Sequence, residues 1–354
     1  MKKHLLFLCA GMLVFGAVSA SAQYTPGEVT QPYESQEAHV SQKIGITTME
    51  VSYHRPAVKG RKIWGELVPY DGGKPFPWRG GANQNTTVTF STAVTIQGKS
   101  LAAGTYGLHF IPSPNEWTVI FSKNYTSWGS FSYDEKEDAL RVTTKPQPAE
   151  FREYLTYEFD DPKPESTQLT LYWEKLKVGV NVGVDVNKTV VENIRLELRN
   201  NVGFTAHGYN SAAMFCVNNK TNLEEGLGWA DRAIANDPRF ENLDTKAQLL
   251  GLLGRKREAD SVQQLSYDKA TPQQLYSFGR YYLGNNQPKE AMQVFEANMK
   301  RNPNHWTSYA GMARAYQASG EKDKAFTALK KAIDLAPDQI KSPLGDLLKQ
   351  WQGS

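Results

Sequence analysis

One irregular stretch, residues 54–83, concentrates the side chains whose types suggest chemistry. Its arginines, tryptophans and glycines follow neither the period of a strand nor that of a helix, and loops of this length often carry function. A guanidinium group can donate two parallel hydrogen bonds to a carboxylate, sulfate or phosphate, and an indole ring can stack on a sugar face or hold an apolar group. The predicted ligand-binding residues are Arg55, Arg61, Trp64, Trp78, Arg79 and Asn83.

Two other interpretations of this stretch remain open. In a purely structural one, the arginines bond to carbonyl groups of a long loop and the tryptophans cap the fold, because loop backbone needs many such partners. The other is a hydrolase acting on a glycan or peptide, with its site in the Arg55 to Asn83 loop and His54 or His109 as proton carrier. The sequence assigns no catalytic residue, and we favour binding over catalysis.

The common enzyme and metal motifs are missing from the sequence. It contains no His-Glu-x-x-His, no Gly-x-Ser-x-Gly, no phosphate loop and no paired cysteines. No two histidines after position 22 have a metal-ligand spacing, so we expect no metal and no cofactor. The formal net charge is only +3 and the longest basic run is Arg255 to Arg257, which argues against nucleic acid as a partner.

The N-terminus has the pattern of an export signal. Two lysines precede an apolar run at residues 5–18, and Ala20-Ser21-Ala22 supplies the small residues that a signal peptidase needs. We therefore predict a signal peptide over residues 1–22 and a periplasmic or secreted protein. No later stretch approaches about 20 apolar residues, so we expect no transmembrane segment after cleavage. Cys216 is then the single remaining cysteine and cannot form an internal disulfide.

Between residues 41 and 186 the hydrophobic pattern has a period of two. Tyr106, Leu108 and Phe110, for example, alternate with small or polar residues, and about nine such runs are separated by turn residues. Many short strands without interleaved helices predict an antiparallel β-sandwich. Residues 23–40, which precede it, are predicted to be an N-terminal extension.

A repeat of 34 residues marks the C-terminal half. The recurring pairs are Leu275/Tyr309, Gly279/Ala313, Tyr282/Tyr316, Ala291/Ala325, Phe295/Leu329 and Pro303/Pro337. This pattern resembles tetratricopeptide repeats, which implies an α-helical solenoid of helical hairpins over residues 205–340, with two clear and two degenerate copies. Residues 187–204 are predicted to be a linking helix. Residues 341–354 are predicted to be a capping helix, opened by Ser342-Pro343. The expected architecture is a β-sandwich followed by this solenoid.

The same resemblance implies a concave groove, lined by the first helix of each hairpin, that binds a protein partner. Arg280 and Arg314 lie one period apart and would stack on that face, where two guanidinium groups suit an acidic or C-terminal peptide. The alternative is that these charges only keep a helix face soluble. The predicted partner-binding residues are Gln273, Tyr276, Arg280, Arg314 and Gln317.

A second resemblance covers residues 41–186. The order Arg-Pro, Lys-Gly-Arg, Gly-x-Leu-Val-Pro-Tyr, Trp-Arg-x-Gly-Ala-Asn and Ala-Gly-Thr-Tyr is similar to the domain-of-unknown-function family 2911, which is found in exported bacterial proteins. The sequence departs from that family at Gln84, where a glutamate commonly follows Gly-Ala-Asn. If that carboxylate acts as a base or metal ligand in the relatives, this chain lacks it. The family has no assigned activity, so the resemblance supplies a boundary and a residue set only.

These features predict an exported adaptor protein. The β-sandwich would recognise an envelope or extracellular ligand, such as a glycan or peptide, and the helical repeats would recruit a protein. The hydrolase described above is the alternative. A third hypothesis is an assembly component whose β-sandwich binds no small ligand.

Overall fold

The structure is a computed structural model that describes residues 31–70 and 77–353 of the 354-residue chain. The predicted signal peptide and the first part of the predicted extension lie outside these residues. Residues 31–43 and 48–183 form one compact unit, and residues 44–47 and 184–353 form the other. No helix in the described part of the chain is both long enough and apolar enough to span a membrane.

The first unit contains two antiparallel sheets. One has the strand order β1-β2-β3-β6-β7-β8 and the other the order β5-β4-β10-β9. The strands are β1 (Gln36–Ile44), β2 (Thr47–Arg55), β3 (Thr87–Phe90), β4 (Val94–Ile96), β5 (Lys99–Leu101), β6 (Gly104–Ile111), β7 (Trp117–Ser122), β8 (Asp138–Thr144), β9 (Gln147–Lys163) and β10 (Ser166–Gly183). Strand β1 thus begins within the segment that the sequence predicts to be an extension.

The two sheets pack face to face around an apolar core. Leu108 and Val119 of one sheet and Leu171 and Val180 of the other line a residual void of only about 10 Å³ between them. Alternate residues along each strand point into this layer, as a period of two requires. The predicted β-sandwich is confirmed.

Strands β9 and β10 form a hairpin that is longer than the sequence pattern indicates. The sequence shows separate runs because the ladder is irregular at two places, one of them around Glu174. Glu174 has a φ of +55°, in the left-handed region, and the register shifts on both sides of it. Such a bulge interrupts the alternation of buried and exposed side chains without ending the strand.

The second unit is helical throughout its described length after residue 185. Its helices are α1 (Val186–Glu197), α2 (Ala206–Asn219), α3 (Leu223–Asn236), α4 (Phe240–Leu252), α5 (Lys256–Lys269), α6 (Pro272–Gly284), α7 (Pro288–Arg301), α8 (Trp306–Ala318), α9 (Lys322–Leu335) and α10 (Asp338–Gln352). A short 3₁₀ helix at Asn201–Phe204 follows α1. Helix α10 begins before the predicted capping helix, so Pro343 lies inside it instead of opening it.

Helices α2 to α9 form four hairpins, and small residues allow the helices to approach one another. Phe295 of α7 is fully buried between Gly279 of α6 and Gly311 of α8. A Cβ atom at either glycine would clash with the Phe295 ring. Leu344 of α10 packs against the last hairpin and helps to close its apolar face. The predicted helical solenoid is confirmed.

One carboxylate is buried inside this helical array. Asp244 of α4 is only 5% exposed. Its two oxygens accept hydrogen bonds from Gln248 Nε2 at 2.7 Å and from Gln263 Nε2 at 3.1 Å. Burial raises the pKa of Asp244 to about 6, although the two hydrogen bonds act in the opposite direction.

Candidate functional site

The structure separates the predicted ligand-binding residues into three groups. The first contains Arg55 and Arg61, which bond to the protein itself. Arg55 Nε donates to the carbonyl of Leu155 at 3.1 Å and its Nη2 donates to Thr156 Oγ1 at 3.0 Å. Arg61 donates to the carbonyl groups of Ala57 and Val58 in its own loop. These contacts fit the structural interpretation, in which guanidinium groups satisfy loop carbonyls.

The second group, Trp64 and Trp78, lies in an aromatic cluster with Trp117 of β7 and Trp173 of β10. Trp64 meets Trp117 edge to face with ring centroids 5.1 Å apart, and Trp78 stacks on Trp173 at 6.0 Å. The backbone of Trp78 also exchanges two hydrogen bonds with Phe110 of β6. This geometry gives both tryptophans a packing role, and their role as ligand contacts stays a prediction.

The third group is centred on Arg79, which is half-buried. Its guanidinium carbon lies 5.3 Å from the centroid of the Trp128 ring, a cation–π geometry. Its Nε atom is buried and has no hydrogen-bond partner within residues 31–70 and 77–353. Burial also lowers the pKa of Arg79. A buried guanidinium donor without an acceptor is costly, which makes Arg79 a candidate for binding an anion.

Polar side chains follow Arg79 in the same loop. Asn83 has a φ of +57° and its Nδ2 donates to the carbonyl of Ser35 at 3.3 Å. Gln84 Nε2 donates to the Tyr33 hydroxyl at 2.8 Å, but its Oε1 is buried without a partner among the described residues. Asn85 Oδ1 is also buried and has no hydrogen-bond partner among the described residues. Two acceptors and one donor of this loop therefore lack a hydrogen-bond partner among the described residues.

Sequence reasoning missed the loop between β7 and β8. It brings Trp128 and Phe131 to the surface, where their side chains are 56% and 65% exposed and their rings stack with planes 7° apart. Large exposed aromatic rings beside an arginine are unusual on a surface that binds nothing. The signal that could have identified them is the occurrence of Trp128 and Phe131 in an otherwise polar, glycine- and serine-rich segment.

The two histidines proposed as proton carriers are both buried. Burial lowers the pKa of His54, Glu37 opposes this shift, and no hydrogen bond joins the His54 ring to a carboxylate of the described residues. His109 is 2% exposed and its Nδ1 lies 3.0 Å from Ser130 Oγ. Burial lowers the pKa of His109 to about 4, so its ring is neutral at neutral pH. Within the same residues, no cluster of three or more His, Cys, Asp or Glu side chains suits a metal ion.

In the helical unit, three of the five predicted partner-binding residues come together. Arg314 Nε on α8 donates to the Tyr276 hydroxyl on α6 at 3.0 Å. The guanidinium carbon of Arg280 lies 5.8 Å from the centroid of the Tyr276 ring. Gln317 follows one turn after Arg314, and its Oε1 is buried without a partner in the described part of the chain. Gln273 is exposed on α6.

The sequence matches two family models. Residues 35–182 match the family described as "Protein of unknown function (DUF2911)", and residues 282–343 match "Tetratricopeptide repeat". Both resemblances inferred from the sequence are therefore confirmed. No curated protein matches the chain significantly.

Several solved structures are similar to a part of the chain. "MamA 41-end" from Desulfovibrio magneticus RS-1 is 21% identical, with 42% of this chain and 93% of that chain covered and a TM-score of 0.24. A thermophilic tetratricopeptide protein of Thermus thermophilus is 12% identical, with 48% and 92% covered and a TM-score of 0.28. A tetratricopeptide repeat protein from Parabacteroides merdae is 17% identical, with 48% and 68% covered and a TM-score of 0.26. The DUF2911 match therefore coincides with the β-sandwich, and the tetratricopeptide match lies within the helical unit.

Proposed function

We propose that the protein is an exported adaptor whose helical repeats recruit a protein partner while its β-sandwich recognises an envelope or extracellular ligand. The observation that carries this proposal is the hydrogen bond from Arg314 to Tyr276, because it fixes a cation between the first helices of two consecutive hairpins. Repeat arrays bind their partners on the surface formed by such helices. The signal-like N-terminus supports export to the periplasm or beyond.

The side chains around Tyr276 suit an extended peptide that carries carboxylates. Arg314 uses Nε to bond to Tyr276, and its terminal amino groups have no carboxylate partner within residues 31–70 and 77–353, so they can pair with a carboxylate of a ligand. Arg280 is exposed beside them. The partner segment that we propose is therefore acidic or ends in its own C-terminal carboxylate.

A charge-reversal experiment tests recruitment. The full protein, the Arg280→Glu/Arg314→Glu double variant and a Lys330→Glu/Lys331→Glu control are used as baits in crosslinked pull-downs from envelope extract. Both double variants change the charge equally, but the control residues are exposed on α9, the second helix of its hairpin. We expect a defined protein to be retained by the wild type and the control and lost from the Arg280/Arg314 variant. Equal retention by all three would contradict the proposal.

A synthetic peptide gives a direct measurement. An acetylated peptide of alanine and glutamate with a free C-terminus should bind the wild-type protein, and the Arg280/Arg314 variant should bind it at least roughly tenfold more weakly, since charge-assisted hydrogen bonds contribute about 1.5–3 kcal/mol. A salt titration distinguishes this from apolar capture, because only ionic contacts weaken as salt is added. Equal affinities for both proteins would refute the role of the two arginines.

For the β-sandwich, the proposed contact surface is Arg79 with Trp128 and Phe131. A cation flanked by exposed rings suits a ligand that has both a negative group and a flat face, such as an acidic sugar or a peptide carboxylate. Arg79→Gln should remove retention of acidic glycans or peptides on an array. Arg61→Gln is the control, because Arg61 bonds to its own loop. Loss of binding in both variants would show that general charge, not this surface, is responsible.

The hydrolase hypothesis is less well supported. It needs a proton carrier in the Arg55 to Asn83 loop, and His109 is buried on Ser130 while His54 has no hydrogen bond to a carboxylate among the described residues. We therefore propose binding as the function of this unit.

A further inference from the structure

A cavity of about 410 Å³ opens near the start of the helical unit and is lined by residues of α1, α2 and α3 together with Arg199 just after α1. Its volume falls within the range of small-molecule sites, roughly 300–1,000 Å³. It shares no residue with the Tyr276, Arg280 and Arg314 cluster proposed to recruit a partner. We call it the α1–α3 cavity.

One wall of the α1–α3 cavity is apolar. Leu198, at the end of α1, and Trp229 of α3 contribute to it, together with the ring of Tyr209 from α2. Trp229 and Tyr209 are only 8% and 9% exposed and belong to the buried core of this part of the array. The wall is therefore rigid, and it suits the apolar body of a ligand.

The remaining lining of the cavity includes three guanidinium groups and one carboxylate. Arg195 is already engaged, because its Nε and Nη2 donate to the two oxygens of Glu225, both at 2.7 Å. Glu225 Oε2 also accepts from Asn222 Nδ2 at 3.1 Å. This bidentate pair is complete and fixes one side of the opening.

Arg199 and Arg232 remain available to a ligand. Neither forms an ion pair within the described residues. The Nη1 atom of Arg232 donates to the Tyr209 hydroxyl at 3.0 Å, and its guanidinium carbon lies 5.6 Å from the centroid of the Tyr209 ring. These contacts hold Arg232 in place without neutralising it, and the Glu225 carboxylate of the same lining is paired with Arg195 instead. The cavity thus offers two positive charges beside an apolar wall.

One of the residues that line the α1–α3 cavity is a glycine. Gly228 lies inside α3, where glycine weakens a helix by roughly 0.5–1 kcal/mol relative to alanine. A Cβ atom built at Gly228 meets no other atom within 4 Å, so close helix packing does not require this glycine. Because Gly228 also lines the cavity, we expect a larger side chain at this position to narrow it without straining the fold.

We propose that the α1–α3 cavity binds an organic carboxylate, whose negative group is held by Arg199 and Arg232 and whose apolar body lies on Trp229 and Leu198. An inorganic anion would leave the apolar wall uncovered, and a neutral apolar molecule would leave the two cations unpaired. The same chemistry is presented by a free carboxylic acid and by the C-terminal residue of a peptide when that residue is apolar. This site shares no residue with the Tyr276, Arg280 and Arg314 cluster. A negative result at one site therefore does not refute the proposal for the other.

Calorimetric titration of the full protein tests the proposal with four probes. These are 3-phenylpropanoate, its neutral amide, inorganic phosphate, and an acetylated tripeptide with a free C-terminal phenylalanine. We expect at least one of the two carboxylates to bind, with a Kd below about 1 mM, and the amide and phosphate to bind at least roughly tenfold more weakly. Tighter binding of the tripeptide than of the free acid identifies a peptide C-terminus as the source, and the reverse order identifies a small acid.

Variants locate the binding in the cavity. Arg199→Gln and Arg232→Gln should each weaken carboxylate binding roughly tenfold. Gly228→Leu should abolish it by filling the cavity, while Gly228→Ala, the matched control, should keep it with an unchanged or higher melting temperature.

Four results would overturn the proposal: no binding of either carboxylate, equal binding of acid and amide, equal binding of phosphate and acid, or undiminished binding to Gly228→Leu. If Gly228→Leu fails to fold, the exposed Arg199→Gln variant replaces it in this test, and undiminished carboxylate binding by that variant would overturn the proposal.

Discussion

Replacing the buried Asp244 with asparagine should stabilise the helical unit at neutral pH. The carboxylate lies in the interior, where the charged form is disfavoured, and its pKa rises from 3.8 to about 6. Asparagine has nearly the same shape and stays neutral. Its carbonyl oxygen can accept from Gln263, and the Gln248 amide can rotate to present its own oxygen to the new amide group.

The magnitude follows from the pKa difference. Between about pH 4 and pH 6 the folded state holds a proton on Asp244 that the unfolded state has already released, so stability falls as the pH rises through this interval. Each pKa unit corresponds to 1.36 kcal/mol, so this proton should lower the free energy of unfolding of the wild type by about 3 kcal/mol as the pH rises. The Asp244→Asn variant should not show this loss. Below about pH 4 the two proteins should have nearly equal stability, because the carboxyl group is then neutral in both states.

Urea unfolding, followed by the helical circular dichroism signal, measures this effect at about pH 4 and about pH 7. The difference between variant and wild type is the relevant quantity, because the contributions of the other carboxylates cancel. Asp260→Asn, on the exposed side of α5, is the control and should change stability by less than about 0.5 kcal/mol at both pH values. A stability difference between Asp244→Asn and wild type that is the same at both pH values would refute the argument from burial.

Three further predictions concern packing, hydrogen bonding and reactivity. Gly279→Ala should lower the free energy of unfolding by about 1–3 kcal/mol because the new methyl group meets Phe295, whereas Gly251→Ala, with open space around it, should raise it by up to about 1 kcal/mol; thermal unfolding compares them. Arg55→Met should destabilise the β-sandwich by about 1–3 kcal/mol, since two acceptors lose their donor, and a denaturation curve with wild-type stability would contradict this. Cys216, whose pKa burial raises to about 11, should resist alkylation at about pH 8 in the folded protein and react quickly in urea, as mass spectrometry can follow.

The sequence predicts the helical unit better than the β-sandwich, because its signals are local and repeated. The spacing of 34 residues alone places Arg280 and Arg314 on equivalent helices, and the structure brings both to Tyr276. In the β-sandwich, strand pairing depends on distant residues. The bulge at Glu174 therefore makes one long strand look like two in the sequence.

The candidate ligand site was harder to predict for the same reason. Trp64 and Trp78 lie in an irregular segment, and only the packing of two sheets brings them against Trp117 and Trp173. Trp128 lies about fifty residues after Arg79, so no sequence spacing connects the two. Arg79 is the one predicted arginine whose buried donor lacks a partner in the described part of the chain.

The aromatic cluster of the β-sandwich has an optical consequence. The rings of Trp64, Trp78, Trp117 and Trp173 lie with centroids between 5.1 and 6.2 Å apart where they are in contact. At such separations the electronic transitions of neighbouring indoles couple, and the sign and size of the resulting circular dichroism depend on how the rings are oriented to one another. The circular dichroism of the cluster in the near and middle ultraviolet therefore reports the mutual orientation of the two sheets. This intrinsic signal can follow the opening of the β-sandwich separately from the melting of the helices, without any attached label.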